Sequence, residues 1–327
     1  MNDYKWLLQH ADRIIKGDSC GRDVAEKILH LKKDALHVLL YAATELRCHF
    51  KGNRVKTCSI VNAKSGRCSE DCSFCAQSIH HNTDLKTYNL MHPDEILAAA
   101  AAEELFSKRF SIVTAGKGLG IDDFQSLKKT IAGFKEKGLK QLPCGSFGIL
   151  STEQFLGLKK AGLKRYHHNL EASRKFYPEI CTTHSYDDRI RTINHAKEAG
   201  LETCVGGILG LGESVKDRID LMYEIKGCDP DSVPLNFLVP IKGTSLENSE
   251  IISTWEAIKL ISLSRFIMPD KDIKLGAGRL EVFKDAQHLV FLAGANGMII
   301  GNLLTVKGRS LEDDIRVLTD LGLEICA

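Results

Sequence analysis

From Val55 onward the chain alternates short apolar runs with amphipathic segments, and that alternation narrows the possible folds more than any other feature. Strand-like runs are read at Val55–Val61, Phe110–Thr114, Lys140–Cys144, Arg165–Asn169, Glu202–Ile208, Val233–Leu238, Ile273–Leu275 and Gly297–Ile300. Helical periodicity separates them at Leu97–Leu105, Phe124–Lys137, Thr152–Ala161, Tyr186–Ala199, Ser214–Ile225, Ile252–Phe266 and Val282–Leu292, with a last helix from Leu311 to Leu321. Strands that each lead into a helix, with no Pro- or Ser-rich linker between them, predict an α/β fold, a (β/α)8 TIM-type barrel in one domain. Before it, Trp6, Leu7, His10, Ile14 and Ile15 form one helical face, and Val24, Ile28 and Leu31 form another after the break at Gly17–Gly21. Asp34 is placed to cap a third helix carrying Leu36, Leu39, Leu40 and Leu46. Residues 1–52 are therefore expected to form an N-terminal helical cap, and residues 53–327 the barrel.

Barrels of this type carry their active sites at the carboxyl ends of the strands. Ser111, Cys144, Asn169, Cys204, Asn236 and Lys274 fall within or at the ends of candidate strands, and Cys58 lies inside the first. These residues are expected to converge in the lumen. A net charge of +2 offers no basic surface for nucleic acid or anionic membrane. No apolar run reaches about 18 residues, so no transmembrane helix is expected. The first ten residues lack a secretory apolar region, which predicts a cytoplasmic protein. In that setting eleven cysteines read as metal ligands and reduced thiols, not as a disulfide framework.

Three of them sit together in Arg67-Cys-Ser-Glu-Asp-Cys-Ser-Phe-Cys-Ala-Gln77, where Cys68, Cys72 and Cys75 make a Cys-x3-Cys-x2-Cys array with Phe74 before the last thiol. A cubane iron–sulfur cluster normally takes four thiolates, so three local ones leave one iron open to a small molecule. Structural zinc would also need a fourth ligand, and His80 and His81 are close by, so counting leaves both metals open. The run Gly206-Gly-Ile-Leu-Gly-Leu-Gly212 does not match G-x-G-x-x-G, and Gly116-Lys-Gly-Leu-Gly120 lacks the end of a phosphate loop. The first can equally be tight strand–helix packing. Tyr166-His-His-Asn-Leu-Glu171 gathers polar groups at the end of the fourth strand, where a ligand is a natural partner. His167 and His168 can serve there as metal ligands or as structural groups.

The stretch Asn62 to Gln77 resembles the cluster loop of radical S-adenosylmethionine (SAM) enzymes, and more closely that of the biotin synthase family, with a likeness extending over nearly the whole chain. The resemblance implies a [4Fe-4S] cluster on Cys68, Cys72 and Cys75, with SAM bound by Phe74, Glu171, Arg189 and the backbone around Ile208. The family commonly has Asp where Glu171 stands. It also implies that Asn169 and Asn236 hold the ureido ring of dethiobiotin and that Thr305 clamps its valerate carboxylate, although Val306-Lys-Gly-Arg309 departs from the usual sequence.

The family's auxiliary cluster is usually a [2Fe-2S] centre on three Cys and one Arg. Cys144 and Cys204 match two of those thiols, but Ser111 stands at the third thiol position and Lys274 at the arginine. Ammonium and alkoxide are poor replacements in a soft-metal site. Cys58 replaces a Ser beside the arginine, and Gly297 replaces another Ser of its hydrogen-bonding shell. Alone, Cys58 reads as a small buried hydrophobe. Together the changes resemble the type II biotin synthases and imply a rearranged auxiliary cluster on Cys58, Cys144 and Cys204, of [4Fe-5S] type rather than [2Fe-2S]. Cys20, Cys48, Cys181, Cys228 and Cys326 match no cluster position and read as ordinary thiols, Cys326 on a mobile tail.

The activity so implied is sulfur insertion into dethiobiotin with two SAM, an electron donor such as flavodoxin or ferredoxin, and a homodimer. A radical SAM maturase without sulfur donation, and a non-enzymatic iron–sulfur or zinc protein, are the competing readings. The first would lack the auxiliary cluster and the second would not cleave SAM.

Overall fold

A computed structural model describes residues 4–301 and 308–326 of the chain. Among the described residues ten strands occur in order: β1 (Arg54–Lys64), β2 (Arg109–Thr114), β3 (Leu142–Ser146), β4 (Arg165–His167), β5 (Glu202–Cys204), β6 (Gly207–Leu209), β7 (Ser232–Phe237), β8 (Asp272–Leu275), β9 (Gly297–Ile299) and β10 (Glu324–Cys326). The helices are α1 (Lys5–Ile15), α2 (Arg22–Leu29), α3 (Leu36–Lys51), α4 (Pro93–Ala102), α5 (Ile121–Glu136), α6 (Thr152–Ala161), α7 (Tyr186–Glu198), α8 (Val215–Gly227), α9 (Thr254–Ile267), α10 (Arg279–Phe283), α11 (Leu289–Leu292) and α12 (Leu311–Asp320). All pairings between strands are parallel, and β9 returns to β1 through Lys56↔Gly297 and Cys58↔Ile299, which closes the barrel. The fold is the expected (β/α)8 TIM-type barrel.

β5 and β6 are two halves of the fifth barrel strand, and they keep one register against β7, Cys204↔Ser232 and Gly207↔Leu235. The interruption has a local cause. Pro234 brings no N–H to the ladder, and a Cβ on Gly206 would stand 1.8 Å from the Pro234 carbonyl oxygen. This part of the glycine run is therefore close packing. Helix starts follow from sequence: Ser151, Ser185 and Ser214 each accept from the backbone N–H three residues on, and Gln154, Asp188 and Asp217 answer back to the cap. Pro93 at the first turn begins α4 four residues before the expected Leu97.

Three expectations are corrected. Asp34 caps nothing; a 3₁₀ turn over Lys33–Ala35 runs into α3, and the Asp34 carboxylate accepts instead from the Tyr4 hydroxyl at 2.7 Å. The helix expected over Val282–Leu292 is broken into α10 and α11, because Lys284 takes a left-handed φ of 47°. Cys326 is not on a loose tail: β10 pairs beside the start of β1, with Lys56↔Cys326 in register.

The first three helices pack on the outer wall. Tyr223 of α8 donates to the Cys20 carbonyl at 2.9 Å, and Trp255 and Lys259 of α9 donate to the carbonyls of Leu31 and Leu29. Leu7, Ala25, Leu39 and Leu260 share one buried apolar cluster. At the closing seam Asp272 of β8 accepts from Lys56 of β1 at 2.7 Å and from Asn296 at 3.0 Å, and Lys51 of α3 stands 3.0 Å away. Burial alone would raise this carboxyl, but the Lys56 bond and the Lys51 charge outweigh it and hold it well below the usual range. A depressed folded pKa gives stability that is fully present above the unfolded value of about 3.9 and is lost progressively as pH falls from there through the folded value. Asp272→Asn is expected to lose about 2 kcal/mol at pH 7 and clearly less at about pH 2. Urea melts at both pH values check this, and an equal loss at both would contradict it.

Candidate active site

The three-thiol loop begins where β1 ends. Gly66 and Arg67 both take left-handed φ, 74° and 55°, and turn the chain back on itself before Cys68. Only glycine suits the first position, since a Cβ there would lie 2.4 Å from the Thr87 methyl. Gln77 fastens the turn from inside: its side-chain oxygen accepts from Gly66 N at 3.1 Å, and its carbonyl accepts from Cys68 N at 2.9 Å. Cys75 N donates to the Cys72 carbonyl at 2.9 Å, and Ser78 Oγ to the Glu70 carbonyl at 2.6 Å. Burial pushes the Cys68 thiol up, and the Cys75 thiol up to about 11. Metal binding takes the proton from each thiol.

His81 spends Nδ1 on the Cys75 carbonyl (2.9 Å) and Nε2 on Ser245 (3.2 Å), while His80 Nε2 meets the Ser69 carbonyl (3.1 Å). Neither ring supplies the fourth ligand that a structural zinc would need. With both loop histidines bonded elsewhere, the three loop thiols suit a four-iron cluster with one iron left open.

Two chambers meet above this loop. One, of about 310 Å³, is lined by Cys58, Ser111, Cys204, Asn236 and Lys274 among others, and the second, of about 260 Å³, by Cys68, Cys72, Glu70, His184 and Arg189. Phe74, Cys75, Asn169 and Glu171 line both. The expected convergence of dispersed strand residues is thus met for Cys58, Ser111, Asn169, Cys204, Asn236 and Lys274. Cys144 is fully buried but lies outside the residues lining these chambers, with Arg109 Nη1 at 3.9 Å from its sulfur. Thr305 lies outside the described residues.

At the junction Glu171 holds a left-handed φ of 67°, a strained conformation for a residue with a Cβ. Its carbonyl accepts from Ile208 N at 2.8 Å, which ties the end of β4 to β6. Burial raises the Glu171 carboxyl, and the Arg189 guanidinium 3.6 Å away works against the rise. Arg189 is fixed by donating to the Tyr177 hydroxyl (2.7 Å) and the Asn169 carbonyl (2.9 Å). The Asn169 amide accepts from Gly206 N (3.1 Å) and donates to Glu171 (3.3 Å). Asn236 accepts from Ala277 N (2.9 Å) and donates to the Gly207 carbonyl (3.3 Å). A primary amide has two N–H groups and two lone pairs, so each asparagine is rigidly held with one of each left for a ligand.

In the first chamber Lys274 Nζ lies 2.9 Å from Cys58 Sγ, both buried. A Cβ on Gly297 would stand 2.6 Å from Lys274 Cγ, so the glycine makes room for the lysine stem. Ser111 Oγ is paired with His167 Nε2 at 2.9 Å. Burial works against the Arg165 charge, but Cys204, Cys144, Glu202 and Cys58 hold the guanidinium above its usual range. Beside the second chamber stand Cys181, read above as an ordinary thiol, and His184, which the sequence did not single out. Cys181 Sγ lies 3.7 Å from Cys72 Sγ, and His184 Nδ1 lies 3.3 Å from Cys181 Sγ. The spacing Cys181-Thr-Thr-His184 was the available signal, hidden by its distance in sequence from the loop.

The Radical SAM superfamily profile matches residues 63–224, and the Biotin and Thiamin Synthesis associated domain matches residues 234–324. The biotin synthase of Geotalea daltonii is 44% identical over 326 residues, covering 98% of each chain. That of Clostridium tetani is 48% identical over 293 residues, covering 89% of each. The chain belongs to the biotin synthase family. Its barrel is also similar to methylornithine synthase, with a TM-score of 0.86 and 22% identity over 97% of both chains. The FeFe-hydrogenase maturase from Carboxydothermus hydrogenoformans superimposes with a TM-score of 0.82 at 18% identity, covering 99% of this chain and 80% of that one. At such identities these two establish the fold alone. Biotin synthase membership makes the chain a radical SAM enzyme, which works with a [4Fe-4S] cluster and SAM. This sets aside the maturase reading and the non-enzymatic one. No described helix is long and apolar enough to cross a membrane.

Proposed function

We propose that the chain converts dethiobiotin to biotin by inserting sulfur, with Cys68, Cys72 and Cys75 holding the SAM-binding cluster and Cys58, Cys144 and Cys204 an auxiliary one. The observation that carries this reading is the joining of the two chambers at Phe74, Cys75, Asn169 and Glu171. When bound, the cluster and SAM supply a 5′-deoxyadenosyl radical, and the auxiliary centre, read as [4Fe-5S] rather than [2Fe-2S], supplies sulfide.

The residues orient and enclose. Arg189 and Glu171 present a charge pair for the SAM carboxylate and ribose, and Phe74 and the Ile208 backbone bound its place. Asn169 and Asn236 direct their remaining amide groups at the ureido ring, and a site with buried amides rejects analogues that leave them unpaired. Thr305 takes the valerate carboxylate. Lys274 faces Cys58 as a charge partner, since ammonium is no ligand for a soft metal. Ser111, paired with His167, leaves the auxiliary centre to the three thiols. The lumen's apolar walls keep water from a reactive radical.

The further reading is a cytoplasmic homodimer that receives electrons from a flavodoxin or ferredoxin, with residues 1–52 as a helical cap on a barrel of residues 53–327. Anaerobic reconstitution followed by assay of biotin formed from dethiobiotin and SAM tests the reaction. Release of 5′-deoxyadenosine without biotin would reject sulfur insertion. Asn236→Ala is expected to raise KM for dethiobiotin about 10-fold to 100-fold, as loss of one buried hydrogen-bonding group at about 1.5–3 kcal/mol requires. Iron content should not change, and a KM equal to wild type would remove Asn236 from substrate binding.

A further inference from the structure

We propose that Cys72, Cys181 and His184 form a second, mononuclear metal site, for one tetrahedral divalent ion of the zinc or ferrous class, which fills when the cluster is absent. Their donor atoms all lie within 4.8 Å of one another. The two sulfurs are 3.7 Å apart, and His184 Nδ1 is 3.3 Å from Cys181 Sγ. An ion with bonds of about 2.3 Å to sulfur and about 2.0–2.1 Å to nitrogen makes tetrahedral edges of about 3.8 Å and about 3.6 Å. Two of the three edges therefore match to within tenths of an ångström, and the third, Cys72 to His184, lies within 4.8 Å.

The surroundings fit as well. His184 Nε2 is held by the Tyr177 hydroxyl at 2.8 Å, and that hydroxyl is itself fixed by Arg189 at 2.7 Å. A ring anchored through one nitrogen presents the other in a set direction, as metal-binding histidines do. Glu70 Oε2 lies 2.5 Å from His184 Nδ1 and stands ready for a fourth position once the ion takes that nitrogen. Cys72, His184 and Glu70 line the chamber of about 260 Å³, which gives the ion a route in. Two thiolates and an imidazole select zinc or ferrous iron over magnesium or calcium. No zinc-type spacing announces the site, because Cys72 and Cys181 come from segments 109 residues apart.

Cys72 cannot serve this ion and a cubane at once, so the two centres exclude each other. Binding of the ion stands on geometry alone, whereas the exclusion rests on Cys72 as a cluster ligand. The cluster-free chain thus parks a metal ion where it blocks cluster assembly until it is displaced.

Cobalt(II) alone, titrated anaerobically into the cluster-free full chain, is the probe. Tetrahedral thiolate coordination gives it charge-transfer and visible bands. Wild type is expected to bind one equivalent more than Cys181→Ala, His184→Ala or Cys72→Ala, and Cys68→Ala is expected to keep that equivalent. Cobalt taken up in the lumen would survive all four substitutions and cancels in the difference. Equal binding by Cys181→Ala and wild type overturns the site, and so does loss of the equivalent in Cys68→Ala, which would place the ion on the loop thiols. Cys181→Ala should still rebuild a four-iron cluster, which shows that it folds; if it does not, Cys181→Ser is counted in its place. Zinc added beforehand should slow cluster reconstitution in wild type and not in Cys181→Ala. Equal slowing in both rejects the exclusion. Failure of the biotin synthase reading would appear differently, as absence of a cluster from every variant.

Discussion

Cys75→Ala is expected to eliminate the SAM-binding cluster and with it all SAM cleavage, a loss limited only by the assay background. Cys75 lines both chambers, so its sulfur stands at the boundary between the loop and the lumen. A cubane left with two loop thiolates has two irons without a loop ligand. His81 cannot step in, because its Nδ1 is committed to the Cys75 carbonyl and its Nε2 to Ser245. Iron, sulfide and 5′-deoxyadenosine are the quantities to measure after anaerobic reconstitution. The auxiliary iron should persist in this variant, leaving about four irons. Retained SAM cleavage would show that the loop thiols do not hold the catalytic cluster.

Cys58→Ala is expected to give the complementary result: loss of auxiliary iron and of biotin, with SAM cleavage kept. The content should fall from about eight irons per chain towards about four. Cys58 stands in the middle of β1, with its sulfur 2.9 Å from the buried Lys274 ammonium. A cation at that distance matches an anionic sulfide-rich centre. It is poor company for a purely hydrophobic thiol. If Cys58 only fills space, removing its sulfur leaves a small cavity that costs about 1 kcal/mol, and iron and activity stay at wild-type values. Counting iron and biotin in the same preparation separates the two cases, because a general folding defect would lower SAM cleavage as well.

Much of the barrel was legible because its signals are local. All eight barrel strands lie within the expected runs or within a few residues of them, since an apolar run bounded by turn residues needs no distant partner to be recognised. The cluster loop was legible for the same reason: Cys68, Cys72 and Cys75 lie within eight residues of chain. Errors occurred where a non-local contact or a backbone detail decided. Asp34 lost its capping role to a 3₁₀ turn and a bond from Tyr4, 30 residues away. Lys284 broke a helix whose periodicity was sound. Cys326 gained a strand partner from the other end of the chain.

The sequence by itself determined the fold class, the family and the three thiols of the loop, along with the unusual residues Cys58, Ser111, Lys274 and Gly297. Only the tertiary structure decided what those residues do to one another. Lys274 reaches Cys58 across 216 residues of chain, through the space that Gly297 leaves. Cys181 and His184 stand beside Cys72 because the segment after β4 folds back over the loop, with the Thr182 and Thr183 amides and hydroxyls bound to Asp71. Spacing along a chain reports neighbours within a turn or a loop. Closing a parallel barrel brings together residues whose separation in sequence carries no trace of their distance in space.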